Sequence, residues 1–315
     1  MTMLTASPDA SPATATPARL QHMAALIAPL VDGDGFLPTA LPGVQLIASH
    51  CGHARTPLIY EPSLIIIVQG GKIGYLNERV IHYGAGHYLV QALPLPFECE
   101  TQASDREPLL GVSIRLDRLM LGELARPWLR AGQERPAGPP TPMAAVPLEG
   151  RMAENVTRLL DCLHDPLVAE TLGEARLREV VFEALRGPQG ESLLQLLATS
   201  GQYARIGEAL DFLHRHYARP LTVDHLAEQV NMSASHFHHH FKRTTHLAPM
   251  QYLKRLRLLK ARSLLDQQGW QVGRTATAVG YQSPSQFSRD YKRYFGVSPG
   301  TERRRPLDAA GVTGP

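Results

Sequence analysis

The chain has 315 residues, of which 43% are hydrophobic and 19% charged, with a formal net charge of +3. This length and composition are typical of a globular protein with two domains, and they exclude a fibrous or wholly disordered chain. The longest aliphatic run, Leu64–Val68, is too short to span a bilayer. We expect no secretory signal, and the three widely spaced cysteines are not typical of a zinc ribbon or a disulfide framework. A cytoplasmic location without membrane contact is therefore predicted.

Residues 1–40 are predicted to form a disordered tail and lead-in, because their start is rich in Ser, Thr, Pro and Ala. Residues 41–118 contain eight short runs rich in Val, Ile, Leu and Tyr, separated by turn residues such as Gly70 and Gly71. Many short strands without helices between them favour an antiparallel sandwich or barrel. The run SLIIIVQ does not alternate, so we expect it to be buried on both faces.

Residues 119–202 are predicted to be a linker and a helical segment. The stretch Ala131–Pro142 is rich in Pro and Gly, which is typical of a loop. From Glu149 to Thr199 aliphatic residues recur at helical spacing, with a break at Gly187 and Pro188. This segment has more apolar surface than a connector needs, so we expect it to form the contact of a homodimer.

The charge is divided unevenly along the chain. Residues 203–305 carry 17 Lys and Arg against 7 Asp and Glu, a net charge of +10, whereas residues 1–202 carry 15 against 21, a net charge of −6. A basic module attracts phosphates through long-range, sequence-independent forces. Residues 203–305 are therefore predicted to be a DNA-binding domain, followed by a tail at 306–315.

Two helix-turn-helix patterns lie within this module, and the first runs from Leu221 to Thr245. Its Asn231 can adopt the left-handed conformation that a tight turn requires, and the Ser233 hydroxyl can cap the helix that follows. On that helix Phe237 and Phe241 are four residues apart, so they share the inward face.

The second pattern runs from Val272 to Gly296 and repeats this logic. Gly280 is expected to make the turn and Ser283 to cap the next helix, while Pro284 suits the first helical position because its missing N–H is not needed there. The inward positions are taken by Phe287 and Tyr291.

A connecting helix is predicted from about Pro249 to Gln267. Its 19 residues span about 28 Å at a rise of about 1.5 Å per residue. One turn of B-DNA is about 34 Å, so this helix can hold the two recognition helices one turn apart on one face of the DNA. Three basic residues of this helix are expected to contact phosphates, namely Lys254, Arg255 and Arg262.

The outward residues of these helices are the predicted DNA contacts. Side chains in the first turn of a recognition helix reach base edges most easily, and an arginine such as Arg289 can form a bidentate pair with guanine. Double-stranded promoter DNA is the expected partner, together with RNA polymerase if the protein activates transcription. The predicted contact residues are Ser235, His238, His239, Lys242, Lys254, Arg255, Ser285, Ser288, Arg289 and Lys292.

The basic module resembles the C-terminal domain of AraC/XylS-type transcription regulators. The resemblance rests on LAEQVNMSASHFHHHFK, YLKRLRLLKARSLL and AVGYQSPSQFSRDYKRYFGVSPG, which follow the family's order and spacing. The sequence departs from the family at Thr275, where an aliphatic residue is usual, and this substitution is expected to loosen the second unit slightly. YEPSLIIIVQGGK, GHYLVQALPLPFE and GPQGESLLQLL resemble the N-terminal part of one AraC-like subgroup.

This resemblance implies an α+β protein of two domains. The N-terminal domain is expected to be an antiparallel β-barrel of the cupin-like jelly-roll type with a helical dimerisation segment, and the C-terminal domain an all-α double helix-turn-helix. The barrel is expected to bind a small effector, with Tyr60, His82, His87 and Cys99 as candidate contacts. Cys51 is a candidate redox thiol, because the neighbouring His50, His53 and Arg55 can stabilise a thiolate.

Alternatives to a regulator come from metal chemistry. His236 and His240 are one helical turn apart, a spacing that zinc accepts, but no further ligand is near in sequence. A cupin enzyme typically uses an HxH pair, which residues 41–118 lack, so we predict no metal, no cofactor and no enzymatic activity. The alternative is a cupin-type metal-dependent enzyme fused to a DNA-binding domain, with ligands from His50, His53, His82 or His87. A third possibility is an activator that needs no ligand.

Overall fold

The computed structural model describes residues 15–132, 139–198, 201–266 and 268–302. The start of the predicted N-terminal tail, half of the predicted loop at 131–142, the ends of the predicted helices at Thr199 and Gln267, and the tail at 306–315 lie outside the described residues. Within the described ranges, no helix is both long enough and apolar enough to cross a membrane.

The lead-in is structured from residue 15 onward, which corrects the prediction of disorder for that part of residues 1–40. Helix α1 spans Pro17–Ile27 and begins at Thr16, whose hydroxyl accepts a hydrogen bond from the Arg19 N–H. A 3₁₀ turn at Ala28–Leu30 leads to strand β1 at Gly35–Pro38. The helix forms because residues at helical spacing bury one face against the sheet, namely Met23, Ala24 and Ile27.

Within the described ranges, ten strands form two antiparallel sheets. The eight predicted strands are present as β2 to β9, at Val44–Ser49, His53–Ile59, Ser63–Gln69, Gly71–Leu76, Arg79–Gly84, His87–Gln91, Pro96–Gln102 and Leu109–Arg115. A tenth strand, β10, spans Met143–Pro147 and pairs with β7.

The strand order is β1-β2-β9-β4-β7-β10 in the six-stranded sheet and β3-β8-β5-β6 in the four-stranded sheet. The two sheets share no strand pairing among the described residues, so the predicted barrel is an open two-sheet sandwich rather than a closed cylinder. Closure would need hydrogen bonds between edge strands, and β1 and β3 remain edges of different sheets.

Strand β4 lies at the centre of the larger sheet, between β7 and β9. Its residues Leu64–Val68 are at most 2% exposed. Helix α1 and strand β6 of the opposite sheet both contact β4, which confirms the predicted burial of both faces. Burying each such side chain contributes roughly 1.5–3 kcal/mol to folding, so this strand is a major source of stability for the sandwich.

The predicted helical segment is confirmed as three helices after β10. Helix α2, at Arg118–Arg130, precedes β10, and α3, α4 and α5 follow at Gly150–Cys162, Pro166–Arg186 and Gly190–Leu194. Helix α4 ends at Arg186, directly before Gly187, where the sequence predicts a break. The aliphatic residues that mark the helical periodicity are buried inside the chain itself, for example Leu159, Leu160, Val180 and Val181.

The C-terminal domain is helical in every described element. Helices α6 to α12 span Gln202–His216, Val223–Gln229, Ala234–Thr245, Pro249–Asp266, Val272–Ala278, Pro284–Phe295 and Pro299–Glu302. The first helix-turn-helix unit, α7 and α8, shares one continuous apolar core with the sandwich, whereas the second unit, α10 and α11, packs around a separate core with the end of α9.

Candidate DNA-binding surface and effector site

The first helix-turn-helix unit is built from local signals. The Thr222 hydroxyl accepts from the His225 N–H at 3.2 Å and starts α7, and the Ser233 hydroxyl accepts from the His236 N–H at 3.4 Å and starts α8. Asn231 has a φ of 52°, the left-handed conformation predicted for the turn. Phe237 and Phe241 are buried, which leaves an exposed outer face on α8 with Ser235, His238, His239 and Lys242.

The second unit follows the same plan. The Ser283 hydroxyl accepts from the Gln286 N–H at 3.3 Å and starts α11, with Pro284 in its first turn. Gly280 has a φ of 85°, and Phe287 and Tyr291 are buried. Thr275 is also buried, and its hydroxyl donates to the Gln271 carbonyl at 3.0 Å, so the hydroxyl of this atypical residue has a partner. The outer face of α11 exposes Ser285, Arg289 and Lys292, with Ser288 half-buried.

The basic residues of the connecting helix α9 are engaged within the protein. Lys254 Nζ lies 2.7 Å from the buried carboxylate of Asp290, on the wall of a groove of about 730 Å³ between the two units. The Arg255 guanidinium lies 5.9 Å from the centre of a tyrosine ring. Arg262 is buried and pairs with Glu302 at 3.1 Å, so the expectation that it meets phosphates was wrong.

The histidines of α8 divide between two faces. His238 and His239 are exposed, whereas His240 is only 6% exposed. The rings of His236 and His240 lie 4.3 Å apart. Burial, assisted by the nearby Arg243, lowers the pKa of His240, so this residue favours the neutral form.

Two of the four predicted effector contacts meet inside the sandwich. Tyr60 and Cys99 are both buried. They are joined by two residues that the sequence analysis missed: Lys72 Nζ donates to the Tyr60 hydroxyl at 3.4 Å, and the Tyr83 hydroxyl lies 3.3 Å from Cys99 Sγ. The two-residue alternation of KIGYL could have revealed Lys72, because it shares a face with the buried Leu76.

Burial controls the ionisation of this interior cluster. It raises the pKa of the Tyr60 and Tyr83 phenols and lowers the pKa of the Lys72 ammonium. Two neutral phenols and a lysine side chain therefore lie together in an apolar interior, where hydrogen bonds are stronger than in water. Such groups can hold a polar atom of a small molecule.

The other candidates lie elsewhere. His82 is exposed on β6 and His87 is half-buried at the start of β7. Cys51 is exposed in the turn before β3, with its Sγ 3.8 Å from Nε2 of His53. Arg55 instead pairs with Glu98, so its charge is already engaged with a carboxylate.

Polar contacts join the sandwich to the DNA-binding domain. The buried Tyr252 of α9 donates to the Pro94 carbonyl and accepts from His214 Nε2 at 2.8 Å. His214 Nδ1 also lies 3.6 Å from the Glu61 carboxylate, and hydrogen bonding to His214 lowers the pKa of Glu61. Strand β3 contacts both α9 and α11. A conformational change inside the sandwich can therefore be transmitted to the DNA-binding domain through these contacts with α9 and α11.

The fold and this surface define a class: a two-domain protein in which a β-sandwich precedes a double helix-turn-helix domain. A family model described as the AraC-type transcriptional regulator N-terminus matches residues 40–192, and a model described as a helix-turn-helix domain matches residues 226–305. The chain belongs to the AraC family of transcriptional regulators.

Two similar proteins are transcriptional regulators by name. The transcriptional regulator GbdR of Pseudomonas aeruginosa is 30% identical over 129 residues, which cover 40% of this chain and 35% of GbdR. The transcriptional activator RhaS of Escherichia fergusonii is 30% identical over 158 residues, 50% of this chain and 56% of RhaS. The chain thus matches about a third of the length of GbdR and just over half of that of RhaS.

The similarity in fold covers a larger share of this chain than the similarity in sequence. The apo structure of a ToxT variant from Vibrio cholerae matches with a TM-score of 0.58 at 10% identity, over 84% of this chain and 98% of that chain. This likeness confirms the two-domain fold.

Proposed function

We propose that the protein regulates transcription in the cytoplasm by binding double-stranded promoter DNA through α8 and α11. The observation that carries this proposal is the pair of capped helices with buried aromatic inner faces and exposed polar outer faces, held by one connecting helix. At about 1.5 Å per residue its 18 residues span about 27 Å, which suits two neighbouring segments of major groove.

The exposed residues of the two recognition helices take different roles in this proposal. Arg289 reads a guanine, and Lys242 and Lys292 bind phosphates. Lys254 contributes less than its charge suggests, because its ammonium already pairs with Asp290. If the protein activates transcription, RNA polymerase is a further partner.

The test measures binding of the full-length protein to the DNA upstream of its own gene, by fluorescence anisotropy over a range of salt concentrations. Each phosphate contact contributes about 0.9 to the slope of log affinity against log salt. We expect Lys292→Ala to lower the slope by about that amount. Arg19→Ala removes the same charge from α1 and serves as the control. Equal slopes for the two variants, or binding without salt dependence, would refute the proposal.

We further propose that the sandwich interior binds a small effector, with Tyr60, Cys99, Lys72 and Tyr83 as contacts. Their burial and mutual hydrogen bonds support this. ToxT has been solved with a bound unsaturated fatty acid, so that protein accepts a small organic ligand. The contacts between β3 and the helices α9 and α11 offer the link to DNA affinity, for which a coupling of about 1–3 kcal/mol is typical.

A thermal-shift screen of metabolites against the full-length protein tests the effector proposal. A compound bound at this cluster should lose its stabilising effect in Lys72→Met and Tyr60→Phe, and retain it in His82→Gln, whose position is exposed. It should also change promoter affinity by roughly five- to 150-fold. A compound whose effect survives in the interior variants, or that leaves promoter affinity unchanged, would contradict the proposal.

Homodimerisation is proposed through α2 and α4. These two helices contact each other, and each exposes leucines that the rest of the chain does not cover. Large apolar side chains that are exposed to solvent favour an interaction surface on these helices. The residues concerned are Leu119, Leu129, Leu167 and Leu172.

A further inference from the structure

Three metal-binding side chains converge where the two sheets meet at an open edge. Asp34 immediately precedes β1, Cys51 lies in the turn after β2, and His53 begins β3. A carboxylate oxygen, the Cys51 sulfur and a ring nitrogen of His53 all lie within 4.8 Å of one another. Strands β1 and β3 are edge strands of different sheets, so these three residues connect two sheets that share no strand pairing in the part of the chain that the structure describes.

The spacing of the ligand atoms suits a tetrahedral zinc ion. Zinc lies about 2.3 Å from a cysteine sulfur and about 2.0–2.1 Å from a histidine nitrogen, so a tetrahedral angle separates the two atoms by roughly 3.6 Å. Cys51 Sγ and His53 Nε2 are 3.8 Å apart. One ion can therefore contact both atoms after a movement of a few tenths of an ångström, and it replaces the hydrogen bond between His53 Nε2 and Ser49 Oγ, which are 3.0 Å apart.

The third ligand is already held in place. The Asp34 carboxylate accepts the His50 backbone N–H at 3.0 and 3.2 Å, and the His50 Nδ1 atom lies 2.6 Å from one of its oxygens. An outer residue that orients a ligating side chain is a common feature of metal sites. Asp34 and Cys51 are exposed, so an ion can enter from solvent.

We propose that Asp34, Cys51 and His53 bind one Zn²⁺ ion, with His50 orienting the Asp34 carboxylate. Cys51 binds as the thiolate, its proton passes to solvent, and water takes the fourth position. The ion fastens β1 to β3 and so closes the open edge of the sandwich. Sequence spacing gives no sign of this site, because its three residues lack the HxH spacing of a cupin metal site and Asp34 precedes the predicted β region at residues 41–118.

Cobalt spectroscopy of the full-length protein, freed of metal by a chelator, tests the site. We expect one Co²⁺ to give a sulfur-to-cobalt charge-transfer band with intense tetrahedral ligand-field bands, all lost when Zn²⁺ is added. Cys51→Ser should abolish the charge-transfer band, and Cys162→Ser should retain it. Circular dichroism confirms that each variant is folded.

Competition with a chromophoric chelator then measures Zn²⁺ affinity. His50→Gln should weaken binding about 10–100-fold, as expected for loss of an orienting partner, and His53→Gln and Asp34→Asn by at least that much. His236→Gln controls for the histidines of α8 and should leave the affinity unchanged. A charge-transfer band that is absent from the unmodified protein, that survives Cys51→Ser, or that comes with weak octahedral bands would overturn the proposal.

Discussion

Replacing Gly280 by alanine should damage the second helix-turn-helix unit far more than the same change at Gly296. Both glycines are left-handed, with φ of 85° and 77°. A Cβ at Gly280 would lie 2.5 Å from the Ala218 carbonyl oxygen and 2.9 Å from its carbon, in the loop between α6 and α7. A Cβ at Gly296 meets no atom within 4 Å. Comparing Gly280→Ala with Gly296→Ala therefore separates the cost of backbone strain from the cost of steric overlap.

The magnitudes follow from these two costs. A left-handed conformation costs a residue with a Cβ roughly 1–2 kcal/mol relative to glycine, and this applies to both variants. Steric overlap of the new Cβ with the Ala218 backbone adds roughly 1–3 kcal/mol, and this cost applies to Gly280→Ala alone. We expect a loss of unfolding free energy of about 2–5 kcal/mol for Gly280→Ala and about 1–2 kcal/mol for Gly296→Ala.

Urea unfolding followed by Trp270 fluorescence measures the difference. Trp270 lies between α9 and α10, with the Arg274 guanidinium 4.0 Å from its ring centre, so it reports on the second unit. The chain's other tryptophan, Trp128, is replaced by phenylalanine in all samples. Equal losses in the two variants would show that the loop between α6 and α7 does not press on Gly280, and the packing argument would fail.

Three further predictions concern DNA, pH and assembly. Arg289→Ala should lose roughly 1–3 kcal/mol of binding free energy at the cognate site and relax the preference at one base pair. The guanidinium of Arg293 pairs with Asp290 on the same helix, so Arg293→Ala should leave base preference unchanged in a binding-site selection. Hydrogen bonding to His214 lowers the folded-state pKa of Glu61, so this contact stabilises the protein above the unfolded pKa of Glu61 and the stabilisation is lost as pH falls through the folded pKa. The melting temperature of Glu61→Gln should therefore fall less on acidification than that of the unmodified protein. Parallel curves of melting temperature against pH would contradict this. Leu167→Glu should give monomers in sedimentation velocity if α4 forms the dimer contact. Val80→Glu, which changes another exposed apolar residue on β6, should not.

Local chemistry made much of the fold predictable. Strand positions follow from runs of β-branched and aliphatic residues, and β4 could be recognised as doubly buried because its sequence does not alternate. Ser233 and Ser283 cap helices by bonding N–H groups three residues away, and Asn231 takes the left-handed turn that its side chain tolerates. These features depend on neighbours within a few residues, so the sequence contains the whole interaction.

Long-range pairing could not be predicted in the same way. Strands β1 and β10 are short, lie outside the predicted β region, and form only because β2 and β7 offer them unpaired edges. Arg262 has the charge of a phosphate contact, yet it is buried against Glu302, 40 residues away. Sequence spacing gave no sign of either pairing.

The candidate sites divide along the same line. The outer faces of α8 and α11 were determined by the sequence itself, because helical periodicity fixes which side chains lie opposite the buried phenylalanines. The cluster of Tyr60, Lys72, Tyr83 and Cys99, and the meeting of Asp34 with His53, were decided only by the tertiary structure. The first contact set forms when β3, β8, β5 and β6 pair within the four-stranded sheet. The second brings together residues beside edge strands of different sheets, so it exists only after the two sheets have packed.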